Sequence, residues 1–232
     1  MTDPRDLLPL LDSATARLLA TVESLDDADL AAPCALPGWT RAHVVAHLAL
    51  NGEGLAGALA GAAVGEDVAM YRSQQDRDDD IAALAGRPAD ELRSRLRTAV
   101  RGFSGALSLM PDTAWAALLH RVPGSDRTFR AEETIGMRLI ETEIHHADLA
   151  AGYTHQDWDP AFSRHLVAIG TARATEPFLV RATDVEGEWA ARGGRGPVVS
   201  GSVADLGWWL AGRGGADRLE VSDGPMPTIG KW

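Results

Sequence analysis

Apolar residues recur at helical intervals through the first two-thirds of the chain. Long helices are predicted at residues 6–25, 40–63, 88–109 and 131–151, and a short helix is predicted at residues 81–84. The first carries its apolar side chains three or four positions apart, at Leu7, Leu8, Leu11, Leu18, Leu19 and Val22. Thr40 is a typical N-cap for the second. This part of the chain is therefore predicted to be mainly α.

The last third has a different pattern. Short β-type runs begin at Phe178, Gly187, Val198 and Leu219, and a helix is predicted between the last two, at residues 202–212. Clustered strands after a helical region are typical of a separate α+β domain. The sequence thus predicts a helical domain over residues 1–155, followed by a small α+β domain over residues 156–232.

The predicted helix at residues 131–151 has two different faces. An apolar stripe, which is expected to face the core, contains Met137, Ile140, Ile144 and Ala147. A polar stripe contains Thr134, Arg138, Glu141, His145 and Asp148. Such a stripe usually faces water. It could instead face an enclosed site, in which Arg138 and Asp148 would orient the side chains that bind a ligand.

Two residues of that polar stripe are candidate metal ligands. Glu141 and His145 are four positions apart, so their side chains share one face of a helix. On spacing alone, a solvated pair is the commoner interpretation. His47, in the predicted second helix, could complete a set of two imidazoles and one carboxylate, which is typical of catalytic zinc. His43, one turn earlier, is a rival for this role.

Charge and cysteine content narrow the functional classes. The 232-residue chain has a formal net charge of −11, so nucleic acid and anionic membrane surfaces are unfavourable partners. An anionic small substrate would need a local basic anchor. We expect no membrane span, because no stretch of about 18 or more residues is continuously apolar. With Cys34 as its one cysteine, the chain fits the reducing cytoplasm.

The chain shows no convincing nucleophile of its own. Cys34 has no adjacent base or cation that would lower its pKa, so a small apolar role is the better interpretation. Arg77, inside an acidic run, is either a surface ion-pair partner or a guanidinium that binds a substrate carboxylate. Arg213 has the same two interpretations.

Several segments together resemble the mycothiol-dependent maleylpyruvate isomerases. They are LPGWTRAHVVAHLALN (residues 36–51), MYRSQQDRDDDI (70–81), RLIETEIHHADL (138–149), VVSGSVADL (198–206) and AGRG (211–214). The resemblance extends over nearly the whole chain, in the same order.

The resemblance implies a DinB-like four-helix bundle followed by the small C-terminal domain. It also implies that the metal ligands are His47, Glu141 and His145. The catalytic and cofactor-binding arginines of the family would correspond to Arg77 and Arg213. The cofactors would be zinc, or another divalent metal, and mycothiol.

The implied reaction converts maleylpyruvate to fumarylpyruvate by reversible thiolate addition. Addition makes the cis double bond single, rotation follows, and elimination restores the alkene as the trans isomer. The alternative is a mycothiol S-transferase acting on another electrophile. A third hypothesis is a metal-stabilised binding or regulatory protein. The sequence leaves the physiological substrate and the oligomeric state open.

Overall fold

The computed structural model describes residues 3–126 and 128–230. The chain divides into two compact units, Met1–Tyr153 and Thr154–Trp232. In the residues described, the first unit is helical apart from one small hairpin, and the second combines helices with a four-stranded sheet. The predicted fold class, mainly α with a small α+β portion, is confirmed.

Long helices form most of the first unit. Its α-helices in the described residues are α1 (Leu8–Ser24), α2 (Asp27–Ala31), α3 (Arg41–Ala63), α4 (Gln74–Ala85), α5 (Ala89–Ser108) and α6 (Thr134–Asp148). The four longest of these helices, α1, α3, α5 and α6, form the bundle. Short 3-10 helices cover Pro4–Leu7, Asp112–Ala114 and Ala131–Glu133.

Helix α3 lies in the centre of this bundle. It is buried on nearly all sides, as expected for a helix that is apolar all round. Thr40 is its N-cap, as predicted, and forms a capping box with His43, whose Nδ1 lies 2.8 Å from Thr40 Oγ1. Side chains of α1, α3, α5 and neighbouring segments form one apolar core, which includes Leu18, Val22, Val45, Leu48, Leu92, Leu96 and Leu149.

The segment after α3 differs from its prediction. A short helix was expected at residues 81–84, but α4 begins at Gln74. Ser73 caps it by accepting a hydrogen bond from the Asp76 amide at 3.0 Å. Amide–carboxylate pairs four positions apart, such as Gln74 with Asp78 at 3.0 Å, stabilise this polar turn without an apolar stripe.

A small hairpin was also missed. Strand β1 (Leu118–His120) pairs antiparallel with β2 (Thr128–Arg130), in a register that places Leu119 opposite Phe129. With three residues each, these strands are too short to show the alternation by which strands are recognised.

Two arginines join α3 to α6 on either side of the middle of these helices. Arg41, at the start of α3, donates hydrogen bonds to the carbonyl oxygens of Leu149 and Ala150, each at 2.8 Å. Arg138 of α6 donates to the carbonyl of Leu48 and to Asn51 Oδ1, each at 2.8 Å. Both contacts use charged donors, which form the stronger hydrogen bonds, so the helices are held in one register.

The opposite face of α6 is anchored to α1 by buried polar contacts. Glu143 is 1% exposed and accepts hydrogen bonds from Arg17 at 2.7 Å and from the Tyr153 hydroxyl at 2.6 Å. His146 Nε2 lies 2.8 Å from Thr21 Oγ1. Helix α6 is therefore fixed about its own axis as well as along it.

The second unit is a helix-covered sheet. It contains α7 (Pro160–Arg173), β3 (Phe178–Ala182), β4 (Glu188–Ala191), β5 (Val198–Gly201), α8 (Val203–Leu210) and β6 (Glu220–Ser222). The strand order is β4-β3-β5-β6, with β3 and β5 parallel and the outer pairs antiparallel. Its core includes Val167, Phe178, Val180, Val199, Leu206 and Leu210.

Across the described residues, every helix is too short or too polar to span a bilayer.

We predict that Leu96→Ala destabilises the first unit by about 2–5 kcal/mol, because Leu96 is fully buried in the core and its loss leaves a cavity. Leu109→Ala is the matched control, since Leu109 is 79% exposed, and it should change stability by about 0.5 kcal/mol or less. Urea unfolding followed by circular dichroism measures both. Equal effects would contradict the assignment of the core.

Candidate metal centre

Helices α3 and α6 bring three candidate ligands together. His47 Nε2 lies 2.8 Å from Glu141 Oε2, and His145 Nε2 lies 3.2 Å from the same oxygen. One ligand atom from each of the three residues lies within 4.8 Å of the others. His47 and Glu141 are 94 positions apart in the chain, so this cluster exists only in the folded bundle.

The cluster is enclosed but reachable from solvent. The side chain of His47 is 5% exposed, that of His145 13% and that of Glu141 31%. The rings of His47 and His145 meet edge to face, with centroids 4.7 Å apart. The imidazoles are thus held rigidly while the carboxylate keeps an open side.

Burial and mutual charge shift the pKa values of these groups in different directions. Burial lowers the pKa of His47 to about 4, even though Glu141 pulls it upward. Burial also opposes the charged form of His145, but hydrogen bonds to Asp148 and Glu141 outweigh it and raise the pKa of His145. Burial would raise the pKa of Glu141, yet the two imidazoles hold it well below its ordinary value.

Asp148 orients one of the imidazoles. Its Oδ2 lies 2.9 Å from His145 Nδ1, and its side chain is fully buried. The carboxylate accepts a hydrogen bond from Nδ1–H, so in neutral His145 the lone pair is on Nε2, which faces the cluster. The expectation that Asp148 orients a ligand side chain agrees with this contact.

Arg138 does not contact the three candidate ligands in the way expected. It is 2% exposed and donates to Leu48 and Asn51 of α3 instead. Burial lowers the pKa of Arg138 to about 10, and the charge of Glu141 opposes that shift. Arg138 therefore fixes α6 against α3 and interacts with Glu141 through its charge.

Arg77 lies beside the cluster. Its Nη2 donates to His47 Nδ1 at 3.1 Å, and its Nη1 forms an ion pair with Asp78 at 2.7 Å. Arg77 thus has the ion pair of the first interpretation and also lies beside the candidate site, while its binding of a substrate carboxylate stays a prediction. The side chain of Arg77 is 13% exposed.

Other candidates lie away from the cluster. His43 bonds Thr40 at the start of α3, and His146 faces Thr21 of α1. Cys34 is half-buried and its Sγ contacts the carbonyls of Leu36 and Trp39; burial raises its pKa. None of these three residues belongs to the cluster of candidate ligands.

Arg213 belongs to the second unit, in the turn that follows α8. Its proposed catalytic role stays a prediction.

Two residues near the cluster were not singled out from the sequence. Tyr71 and Arg121 lie beside Arg77: the guanidinium carbons of Arg77 and Arg121 are 5.7 and 5.8 Å from the centre of the Tyr71 ring. Tyr71 precedes α4 and Arg121 follows β1, and no sequence spacing indicates that residues so far apart meet. Their proximity to Arg77 is visible only in the folded structure.

The donor set fits a divalent metal ion. Two imidazole nitrogens and a carboxylate oxygen within 4.8 Å of one another are the ligands that catalytic zinc uses, with a further position left for water or substrate. The lowered pKa values keep Glu141 ionised and His47 neutral, the charge states in which these side chains bind a metal. Because His47 Nδ1 accepts from Arg77, the imidazole proton lies on Nε2 and must leave that atom when Nε2 binds an ion.

Comparisons with known proteins agree on one family. Residues 11–150 match the family model described as the mycothiol maleylpyruvate isomerase N-terminal domain. A crystal structure of the mycothiol-dependent maleylpyruvate isomerase is 30% identical over 100% of both chains, with a TM-score of 0.87. A crystal structure of a histidine-to-alanine mutant of that enzyme is also 30% identical over 100% of both chains, with a TM-score of 0.86. No curated protein sequence matches the chain.

We predict that Asp148→Ala weakens zinc binding by about 10–100-fold, because His145 loses the carboxylate that fixes its tautomer. Asp148→Asn keeps an acceptor oxygen without the charge and should have an intermediate effect. Titration calorimetry of the apoprotein with zinc measures the affinities. The control is Asp90→Ala, since the Asp90 side chain is 98% exposed. Equal affinities for all three variants would contradict the role of Asp148.

We predict that zinc binding releases one proton, from His145, between about pH 6.5 and pH 4. In that range His145, whose pKa is raised, must lose a proton to bind metal, whereas His47 with a pKa of about 4 is already neutral. Affinity should therefore fall by about tenfold per pH unit as the pH is lowered. Calorimetry in buffers of different ionisation enthalpy counts the protons released. A hundredfold fall per unit would mean that His47 titrates with His145.

Proposed function

Because the chain belongs to the mycothiol-dependent maleylpyruvate isomerase family, we propose that it is a zinc- and mycothiol-dependent cis–trans isomerase. It converts maleylpyruvate to fumarylpyruvate by reversible thiolate addition. The observation that carries this proposal is the convergence of His47, Glu141 and His145 on one point, with Glu141 still open to solvent.

In this proposal His47, Glu141 and His145 hold the metal. Bound zinc would supply a Lewis acid that lowers the pKa of a coordinated thiol to near neutrality. Asp148 keeps His145 in the tautomer whose Nε2 can bind metal. The arginine contacts between α3 and α6 keep the three candidate ligand side chains in register.

Arg77 supplies positive charge where an anionic substrate needs it. The chain as a whole has a net charge of −11 and would repel a dianion, but Arg77 places a guanidinium within hydrogen-bond distance of His47. A guanidinium can bind a carboxylate through two parallel hydrogen bonds and can stabilise an enolate oxygen. Arg213 is kept as a second catalytic candidate on the strength of the family resemblance alone.

The fate of mycothiol distinguishes an isomerase from an S-transferase that acts on another electrophile. An isomerase releases mycothiol unchanged in each cycle, whereas an S-transferase consumes it. The position of Arg77 beside the cluster favours the isomerase, because an uncharged electrophile would not require a cation there. With one half-buried cysteine and no need for a disulfide, we propose the cytoplasm as its location.

We predict that the zinc-loaded protein converts maleylpyruvate to the trans isomer only when mycothiol is present, without net loss of mycothiol. His47→Ala should lower kcat/KM by at least about a hundredfold, because one of the three ligands is removed. The assay follows loss of the cis isomer by absorbance and counts free thiol at the end.

His43→Gln is the matched control, since His43 lies one turn from His47 but caps α3, where glutamine is also accepted. This variant should keep its activity. Absence of turnover by metal-loaded wild-type protein would reject the isomerase, and accumulation of stable mycothiol adducts would establish the transferase instead.

A further inference from the structure

Arg121 is held beside the candidate metal centre by backbone contacts. The amides of Met70 and Tyr71 donate to the carbonyl oxygens of His120 and Arg121, each at 3.0 Å. The end of β1 is thereby joined to the segment that precedes α4. That segment also packs closely on α3, since a Cβ at Gly54 would lie 2.9 Å from the Met70 carbonyl oxygen. The position of Arg121 thus follows from the fold.

Two guanidinium groups share the ring of Tyr71. The Cζ atoms of Arg77 and Arg121 lie 5.7 and 5.8 Å from its centre, within the range of a cation–π contact. Both cations also act on the carboxylate of Asp78, whose pKa is lowered by Gln74 and then by Arg77 and Arg121. The two positive charges are therefore close enough to share their electrostatic surroundings.

The two arginines differ in their partners. Arg77 has an ion pair with Asp78 and a hydrogen bond to His47. Among the described residues, the side chain of Arg121 forms no ion pair or hydrogen bond, and its Nε is buried without a partner. The chain has 33 acidic residues, so a scarcity of carboxylates does not explain this. The nearby carboxylates are engaged, Asp78 with Arg77 and Glu141 with His47 and His145.

Two features make the ligand-free site unfavourable. The buried Nε of Arg121 has no hydrogen-bond partner, and the positive charge of Arg77 lies nearby. An anion that bound there would satisfy the guanidinium donors of Arg121 and reduce its repulsion with Arg77. A carboxylate matches the planar fork of a guanidinium better than a monatomic anion does. Two guanidinium groups beside one ring are thus suited to a ligand with two carboxylates.

We propose that Arg121 forms, with Arg77 and Tyr71, a subsite that selects dicarboxylate substrates. Arg77, which touches His47, takes the carboxylate nearer the metal centre, and Arg121 takes the one farther away. This inference rests on the proposed function for the identity of the reaction. The recognition of a dicarboxylate by Arg121 can be measured by binding alone.

The test compares two unreactive acids on the zinc-loaded protein. Glutarate carries two carboxylates, and butyrate carries one on a chain of similar size. Their dissociation constants are measured by calorimetry for the wild type, Arg121→Gln, Arg121→Lys and Arg72→Gln. Arg72 is the matched control, since it adjoins Tyr71 in sequence but its side chain is 74% exposed and pairs with Asp76 and Asp80. Zinc content and thermal unfolding show that each variant is folded and loaded.

The wild type should bind glutarate more tightly than butyrate. Arg121→Gln should weaken glutarate binding by about 10–100-fold and leave butyrate binding nearly unchanged, because only the second carboxylate loses its partner. Arg121→Lys keeps the charge without the fork and should fall between the wild type and Arg121→Gln. Arg72→Gln should resemble the wild type.

Other outcomes overturn the inference. They are failure of the wild type to prefer glutarate, equal losses for both acids in Arg121→Gln, and an equal loss in Arg72→Gln. The proposed function fails separately: a protein that shows the Arg121-dependent preference but does not isomerise maleylpyruvate keeps the subsite and loses the reaction. Conversely, if the protein isomerises maleylpyruvate but Arg121→Gln leaves glutarate binding unchanged, the proposed function holds and the subsite is rejected.

Discussion

A single carboxylate held between two imidazoles is the interaction on which this structure depends. Glu141 lies within hydrogen-bond distance of both His47 and His145. Removing a carboxylate from water is unfavourable unless opposite charge or donors compensate, and here His47 and His145 provide that compensation. A divalent ion would take over the same role with more charge. Three polar side chains must be kept together in an apolar bundle, and the hydrogen bonds that hold α6 in place serve this purpose.

Helix α6 shows how that need is met. One of its faces carries Glu141 and His145, and the other carries Glu143 and His146, which are anchored to α1. Almost no side of the helix is left to water, although many of its residues are polar. A rotation about the helix axis would break hydrogen bonds on both faces, so the ligand side chains have one stable orientation. Hydrogen bonds from Arg41 and Arg138 add a restraint along the axis.

Periodicity was sufficient for the long helices and for the α+β character of the last third, because burial of one face leaves a repeat in the sequence. It could not choose between His43 and His47, which lie one turn apart on the same helix. The family resemblance made that choice, and the contact of His43 with Thr40 explains why His43 is occupied elsewhere. The hairpin, the start of α4 and the position of Arg121 depend on capping and backbone pairing between distant segments, which leave no repeat to detect.

The long sequence separation within the cluster has a consequence for biosynthesis. A nascent chain exposes His47 on the ribosome while 94 further residues, up to Glu141, still have to be translated. Local helix formation brings Glu141 and His145 side by side, but a two-ligand site binds metal far more weakly than the full set. Binding of an ion by all three candidate ligands would therefore come late in maturation, after α6 has docked, because a chain that ends before α6 lacks two of the three side chains.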